Sequence, residues 1–199
     1  MTLQEFYDTF KDCPKCAPLV ASRTQVVFGD GNPQAEIMFV GEAPGFYEDR
    51  QGKPFVGAAG RLLNQLLTEI GIQRHDVYIS NIIKCRPPNN RNPRAEEIEN
   101  CKPYLLTQID MIRPKVVCTL GNFSTQALLG KKMGITKVRG QAFSMGSYTL
   151  IPMLHPAAAL HREALLEAVK EDFRNLRKIL DQGVPSEVSG LRTDQPSLL

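Results

Sequence analysis

Apolar and polar positions along the chain sort into segments of helical period and short unbroken apolar runs. Leu3, Phe6, Tyr7 and Phe10 recur at helical spacing and predict a first helix over Leu3–Phe10, ended by Cys13-Pro14-Lys15-Cys16. Ile37-Met38-Phe39-Val40 is an apolar run of strand length that stops at Gly41, and a Gly- and Pro-rich loop then reaches Gly57. Ala58–Ile70 predicts a helix with Leu62, Leu63, Leu66 and Leu67 on one face and Gly71 as its stop. Val77–Ser80 predicts a second strand, Pro87–Pro93 a loop, and Arg94–Met111 a helix interrupted near Pro103. Lys115–Leu120 predicts a third strand, Asn122–Leu129 a helix, and Tyr148–Leu154 a fourth strand that runs into His155. Ala157–Leu180 predicts one long helix with Leu160, Ala164, Ala168, Phe173, Leu176 and Leu180 turned to the core. From Gln182 onward Gly, Pro, Ser and isolated charges predict a disordered tail over 182–199, leaving 1–181 as a single domain.

Strands that alternate with helices place the chain in the α/β class, with a mostly parallel sheet covered on both faces. In such sheets ligands bind outside the carboxyl ends of the strands. The predicted strand ends here lead into Gly41-Glu42, Asn81, Gly121 and His155, and three of the four offer polar groups suited to catalysis or recognition.

Composition narrows the class without naming a chemistry. With 199 residues, 42% hydrophobic and 23% charged, the chain can close a substantial core, which excludes collagen-like, wholly disordered and disulfide-dense small folds. Lys+Arg 24 against Asp+Glu 21 gives a net charge of +3, which permits a nucleic-acid partner but does not indicate one. No apolar run approaches the ~20 residues that span a bilayer, and the N-terminus is polar and acidic rather than signal-like, so a cytoplasmic location is expected. In a reducing compartment the five Cys read as metal ligands, nucleophiles or small buried residues rather than disulfides. With no Trp, stacking on a substrate ring falls to Phe, Tyr or His.

Cys13 and Cys16 form a CxxC pair, and Cys85 and Cys101 follow with fifteen residues between them. Four thiolates so distributed can close around zinc or hold an iron–sulfur cluster, and the spacing does not choose between the two. Either would pin the N-terminal segment and the loop after the second strand to the body of the fold. Cys118 sits inside an apolar strand and reads as a small core residue. Gly41-Glu42-Ala43-Pro44-Gly45 and Gly52-Lys53-Pro54-Phe55-Val56-Gly57 frame one loop whose glycines allow tight turns and close backbone approach to a ligand. The loop is neither a P-loop nor a dinucleotide fingerprint, because its Gly spacing is wrong and no Lys-Ser/Thr follows.

In order along the chain stand the CxxC pair, Gly41–Gly45 with Glu48-Asp49, Gly52–Gly57, Tyr78-Ile79-Ser80-Asn81, Lys84-Cys85-Arg86-Pro87-Pro88-Asn89-Asn90, Cys101, Ile135–Gly140 and His155-Pro156-Ala157. Together they resemble the family 4 uracil-DNA glycosylases, the iron–sulfur branch of the uracil-DNA glycosylase superfamily, from Cys13 to about Leu160. The resemblance implies a three-layer α/β/α sandwich with a central four-stranded parallel sheet, and a 4Fe–4S cluster on Cys13, Cys16, Cys85 and Cys101. It implies a monofunctional, monomeric hydrolase that excises uracil from DNA and leaves an abasic site, the first step of base-excision repair.

The residue chemistry suits that task. A target base must leave the stack and enter a shaped pocket, where Phe55 would stack on uracil. The Asn81 amide offers an acceptor and donors that match uracil N3–H and O4. Backbone groups near Glu42 and Ala43 would reach the base carbonyls, and Glu48 would close off C5. As the bond breaks, His155 would donate to the oxygen where negative charge collects, and Glu42 would orient water and stabilise the cationic sugar. Glu42 and His155 are thus the catalytic pair. Lys84, Arg86, Arg91, Arg94, Lys137 and Arg139 are the expected DNA contacts.

The chain departs from the family just after His155, where Ala158-Ala159-Leu160-His161-Arg162 replaces a Leu-Leu-Arg-like continuation, so the duplex wedge is assigned to Leu160 with Arg162 behind it. A non-catalytic iron–sulfur nucleic-acid-binding protein on the same scaffold is one alternative, opposed by the joint presence of Glu42, Asn81 and His155. A covalent uracil-DNA binder would need a histidine in an inserted basic loop, and Pro87–Pro93 has neither. A zinc-ribbon module would leave the strand-end residues unexplained.

Overall fold

The computed structural model describes residues 1–183. The tail expected over 182–199 lies, from residue 184 on, outside the described residues; Gln182 itself ends the last helix. Six strands form one sheet: β1 (Asp30–Gly31), β2 (Ile37–Gly41), β3 (Tyr78–Asn81), β4 (Val116–Leu120), β5 (Phe143–Ser144) and β6 (Thr149–Met153). Their order is β1-β3-β2-β4-β6-β5. The inner four run parallel, as expected, while β1 and β5 add antiparallel edges of two residues each, too short to leave a periodic trace in the sequence.

The described helices are α1 (Leu3–Phe10), α2 (Ala17–Ser22), α3 (Phe46–Gln51), α4 (Ala58–Glu69), α5 (Ala95–Ile112), α6 (Asn122–Leu129), α7 (Ile135–Val138), α8 (Pro156–His161) and α9 (Leu166–Gln182). Side-chain alternation along each strand feeds two cores. Ile37 and Phe39 of β2, Cys118 and Leu120 of β4, and Ile151 and Met153 of β6 pack with Leu63, Leu66 and Leu67 of α4 and Phe173 and Leu176 of α9. On the opposite face Met38, Val40, Val117 and Leu150 pack with Phe6 and Phe10 of α1, Leu105 and Ile109 of α5 and Leu128 of α6. Strands buried on both faces read as unbroken apolar runs, which is why they were legible.

Two expectations about helices are corrected. α5 runs unbroken through Pro103, because that residue lies on the exposed face and the Glu99 carbonyl it cannot bond is left to water. The last helix is not continuous: Arg162 is extended, at φ −142° and ψ 96°, and separates α8 from α9. That break leaves Leu160 and Ala164 exposed rather than in the core, whereas Phe173 and Leu176 are buried as expected.

The chain leaves β2 for β3 through α3 and α4 on one side, then returns through α5 to β4 on the other side of β2. Such a reversal opens a crevice beyond the carboxyl ends of the strands.

Candidate active site

Four strand ends converge on this crevice, and glycines set how closely their side chains meet. Gly41 pairs with Asn81 across β2 and β3. A Cβ on Gly41 would lie 2.4 Å from Asn81 Oδ1 and 2.7 Å from the Phe55 ring, so only glycine lets these groups share the space. Phe55 has φ 53°, a costly backbone state for a bulky residue. Its surroundings hold it there. Arg74 donates to the carbonyls of Pro54 at 2.7 Å and Phe55 at 3.0 Å, and Glu48 Oε1 accepts the amides of Val56 and Gly57 at 2.9 Å each. The ring of Phe55 is buried and stacks on His155 with centroids 5.4 Å apart and planes 24° apart.

Asn81 is 2% exposed, and its Oδ1 is buried with no hydrogen-bond partner among the described residues. An unsatisfied buried acceptor costs ~1–3 kcal/mol, so its presence in a crevice points to a donor supplied by a ligand. Beneath it, Lys84 Nζ donates to the Asn81 carbonyl at 2.9 Å, Ser80 Oγ at 2.5 Å and Gln108 Oε1 at 2.5 Å. These three acceptors match the three donors of an ammonium. Burial pushes the Lys84 amine down to about 7. The expectation that Lys84 reaches a phosphate is therefore corrected: at 1% exposure it is an internal clamp on the strand end that carries Asn81.

His155 caps α8, and its Nδ1 accepts the Ala157 amide at 3.1 Å. In the neutral ring that bond places the proton on Nε2, making Nε2 the donor. Protein packed around the ring pushes its pKa down to about 4, so it is neutral at pH 7. Asp172 Oδ2 accepts the amide of the preceding residue, Leu154, at 2.8 Å. Glu42 is half-buried, its carboxylate has no hydrogen-bond partner among the described residues, and burial raises its pKa above 4.5. The crevice thus combines an aromatic wall, a neutral donor, an unpaired acceptor and a carboxylate of raised basicity. Ala43, half-buried, lies between Glu42 and the loop that carries Phe55.

The other expected contacts divide. Glu48, expected to close one side of the pocket, braces the Phe55 loop from within through the two bonds above. Arg91 is committed to Glu97, at 2.6 and 2.9 Å, and Arg139 to Asp172 at 2.9 Å, Glu171 at 3.0 Å and the Ala168 carbonyl at 2.6 Å. Both were expected on phosphates; their guanidiniums instead hold helices in place, because a buried or half-buried carboxylate lies closer. Arg86 is half-buried and bonds Asn90 Oδ1 at 2.7 Å, while Arg94, Lys137, Leu160 and Arg162 are exposed. Sequence reading missed Arg74, Gly60 and Asp172. A Cβ on Gly60 would fall 1.8 Å from the Phe55 carbonyl. No local pattern marks such residues: Arg74 and Asp172 act on segments nineteen and eighteen residues away, and the closeness of Gly60 to the Phe55 backbone arises only in the folded loop.

Of the cysteines, Cys118 is buried in β4 as expected. The other four each meet a polar group at sulfur. The Lys84 amide donates to Cys101 at 3.2 Å and Arg23 Nη1 to Cys85 at 3.1 Å; Asn100 Nδ2 donates to Cys16 at 3.6 Å, and the Tyr104 hydroxyl lies 3.6 Å from Cys13. Burial pushes the Cys101 thiol up to about 12, with Cys85 and Cys13 near enough to act in the same direction. Among the described residues no three His, Cys, Asp or Glu side chains close around one ion. Cys13, Cys16, Cys85 and Cys101 lie near enough to feel one another's charge, and four thiolates are a donor set that suits either zinc or an iron–sulfur cluster.

Comparison with known proteins agrees with this geometry. A type-4 uracil-DNA glycosylase of Sulfurisphaera tokodaii is 47% identical over 188 residues, covering 89% of this chain and 84% of that protein. One from Saccharolobus solfataricus is 48% identical over 183 residues, covering 87% and 84%. One from Archaeoglobus fulgidus is 42% identical over 193 residues, covering 93% and 96%. The family model for the uracil DNA glycosylase superfamily matches residues 28–180 and so spans all four strand ends of the crevice. On these matches, the chain belongs to the uracil DNA glycosylase superfamily and, within it, to the type-4 family.

Proposed function

We propose that this chain is a monomeric, cytoplasmic uracil-DNA glycosylase whose single domain, residues 1–181, flips uracil out of DNA and hydrolyses its N-glycosidic bond. The observation that carries the reading is the buried, unpartnered Oδ1 of Asn81 beside the stacked rings of Phe55 and His155. A flat ring lying on Phe55 and presenting an N–H to that oxygen satisfies it, and uracil N3–H is such a donor. Asn81 Nδ2 then donates to O4. Cytosine, with an acceptor at N3, sets lone pair against lone pair.

Bond breakage leaves an oxocarbenium-like sugar and an anionic uracil. The neutral His155 has its Nε2–H available for O2, and it stabilises the developing charge without giving up its proton. Glu42, more basic than an ordinary carboxylate, orients the attacking water, accepts its proton and faces the cationic sugar. Backbone groups at Glu42 and Ala43 complete the recognition of the base carbonyls. Half-buried Arg86 and exposed Arg94, Lys137 and Arg162 are available to phosphates, and Leu160, 49% exposed on α8, to the gap left by the flipped base. Incubation with a uracil-containing oligonucleotide, followed by alkaline cleavage of abasic sites, tests the reading. Strand scission at the uracil is expected; scission no greater than in a no-enzyme control overturns it.

The donor set fits a 4Fe–4S cluster on Cys13, Cys16, Cys85 and Cys101. N-glycosidic hydrolysis needs no redox step, so the cluster would serve to tie the N-terminal segment to α5 and to the loop after β3. The purified protein is expected to be brown, with broad thiolate-to-iron absorption in the visible. Replacing any of the four cysteines by Ala should lower soluble yield before it alters chemistry, whereas Cys118→Ala should keep the colour. A colourless protein with one zinc per chain contradicts the assignment.

No helix among the described residues is long and apolar enough to cross a membrane.

A further inference from the structure

Large aromatic side chains are covered almost everywhere in this fold, with one exception. Among the described residues the exposed large aromatics are Phe46, at 43%, and Tyr47, at 61%, adjacent on α3. They stand immediately after the Gly41–Gly45 turn, on the rim of the crevice. Glu48, the next residue, is bonded to Val56 and Gly57 of the loop that carries Phe55. The pair is therefore fixed to the wall of the base pocket rather than carried on a free loop.

The two rings have different neighbours. Phe46 carries the guanidiniums of Arg50 and Arg86 at 5.5 and 5.0 Å from its centroid, within cation–π range. Tyr47 meets Phe46 edge-on, with centroids 5.4 Å apart and planes 84° apart, and among the described residues no guanidinium stands over it. One ring thus holds two cations at the rim while the other offers an aromatic face to solvent. Aromatic faces interleaved with backbone-reading cations are the chemistry of single-strand binding.

Resting on the proposed glycosylase reading, we infer that Tyr47 stacks an unpaired DNA base flanking the flipped uracil, with Arg50 and Arg86 held by Phe46 against the adjacent phosphates. A flanking base in a duplex is already stacked and paired, so this contact favours single-stranded uracil-DNA. It makes Tyr47 a determinant of strand preference and leaves the excision chemistry to the crevice.

The test measures binding of oligonucleotides carrying 2′-fluoro-deoxyuridine, whose glycosidic bond resists cleavage, in single-stranded and duplex form. Base–aromatic stacking at ~1–3 kcal/mol corresponds to roughly 5- to 150-fold in affinity. Tyr47→Ala should weaken single-strand binding within that range and leave duplex binding within about twofold, and Tyr47→Phe should restore it. Removing the base on one side of the uracil should weaken single-strand binding by the wild type by a similar factor and cost Tyr47→Ala nothing further. Arg50→Gln should reduce the slope of log affinity against log salt by about 0.7 on single strands, the value for one phosphate contact. Equal weakening of single-strand and duplex binding, or additive losses from the variant and the missing base, overturns the inference. Failure of the underlying reading would look different: the wild type would cleave no uracil strand at all and would not distinguish 2′-fluoro-deoxyuridine from thymidine.

Discussion

His155→Ala should lower kcat by ~10²–10³ while leaving KM for uracil-DNA nearly unchanged, measured by single-turnover excision. His155 donates from Nε2 to an oxygen whose charge appears only as the bond breaks, so its loss falls on the transition state. The pH dependence separates it from Glu42. His155 is held neutral by burial down to about 4, so it contributes no titration between pH 5 and 8. Glu42 must be ionised to accept a proton, and burial places its pKa above 4.5; the rate should therefore fall on the acid side as Glu42 protonates. His155→Ala should keep that acid limb at a lower plateau, and Glu42→Gln should abolish it. An acid limb that disappears with His155 would reverse the two roles.

Stability should share the same asymmetry. The unfolded chain protonates His155 near its ordinary 6.5, while the folded state resists protonation until about 4. Between those values the unfolded state binds more protons, so the His155 contribution to stability falls as pH drops from about 6.5 toward 4. His155→Gln should flatten that part of the denaturation profile.

Asn81→Asp should abolish uracil excision at neutral pH. An ionised carboxylate offers no donor to uracil O4 and sets negative charge against it. A protonated carboxyl group can present a donor and an acceptor to cytosine, so weak cytosine excision should emerge as pH falls. The site is 2% exposed, and burial favours the neutral acid. Wild-type uracil excision by Asn81→Asp would show that backbone groups, not the amide, read the base.

The sequence carried the frame of this fold because its inner strands are buried on both faces and end in Gly, Asn and His. Gly41, Asn81, Gly121 and His155 could be placed at strand ends from apolar run lengths alone. The edges β1 and β5 escaped because two residues hold no period. Charge was the least legible property. Lys84, Arg91 and Arg139 look like phosphate ligands in a polar, Pro-flanked sequence, yet each is claimed by another side chain: Lys84 and Arg139 by Gln108 and Asp172, remote in sequence, and Arg91 by Glu97, six residues on. Arg74, which holds Phe55 in its left-handed state from nineteen residues away, was invisible for the same reason. Local pattern reports which groups a chain has, whereas the tertiary fold decides which of them remain available to a ligand.

The most direct measurement is release of free base from three oligonucleotides identical except for uracil, thymine or cytosine at one position. With Gly41, Phe55 and Asn81 shaping the pocket and His155 neutral within it, the wild-type protein should release uracil and leave thymine and cytosine in place. Release of thymine or cytosine at a rate comparable to uracil, or of no base at all, would contradict the account.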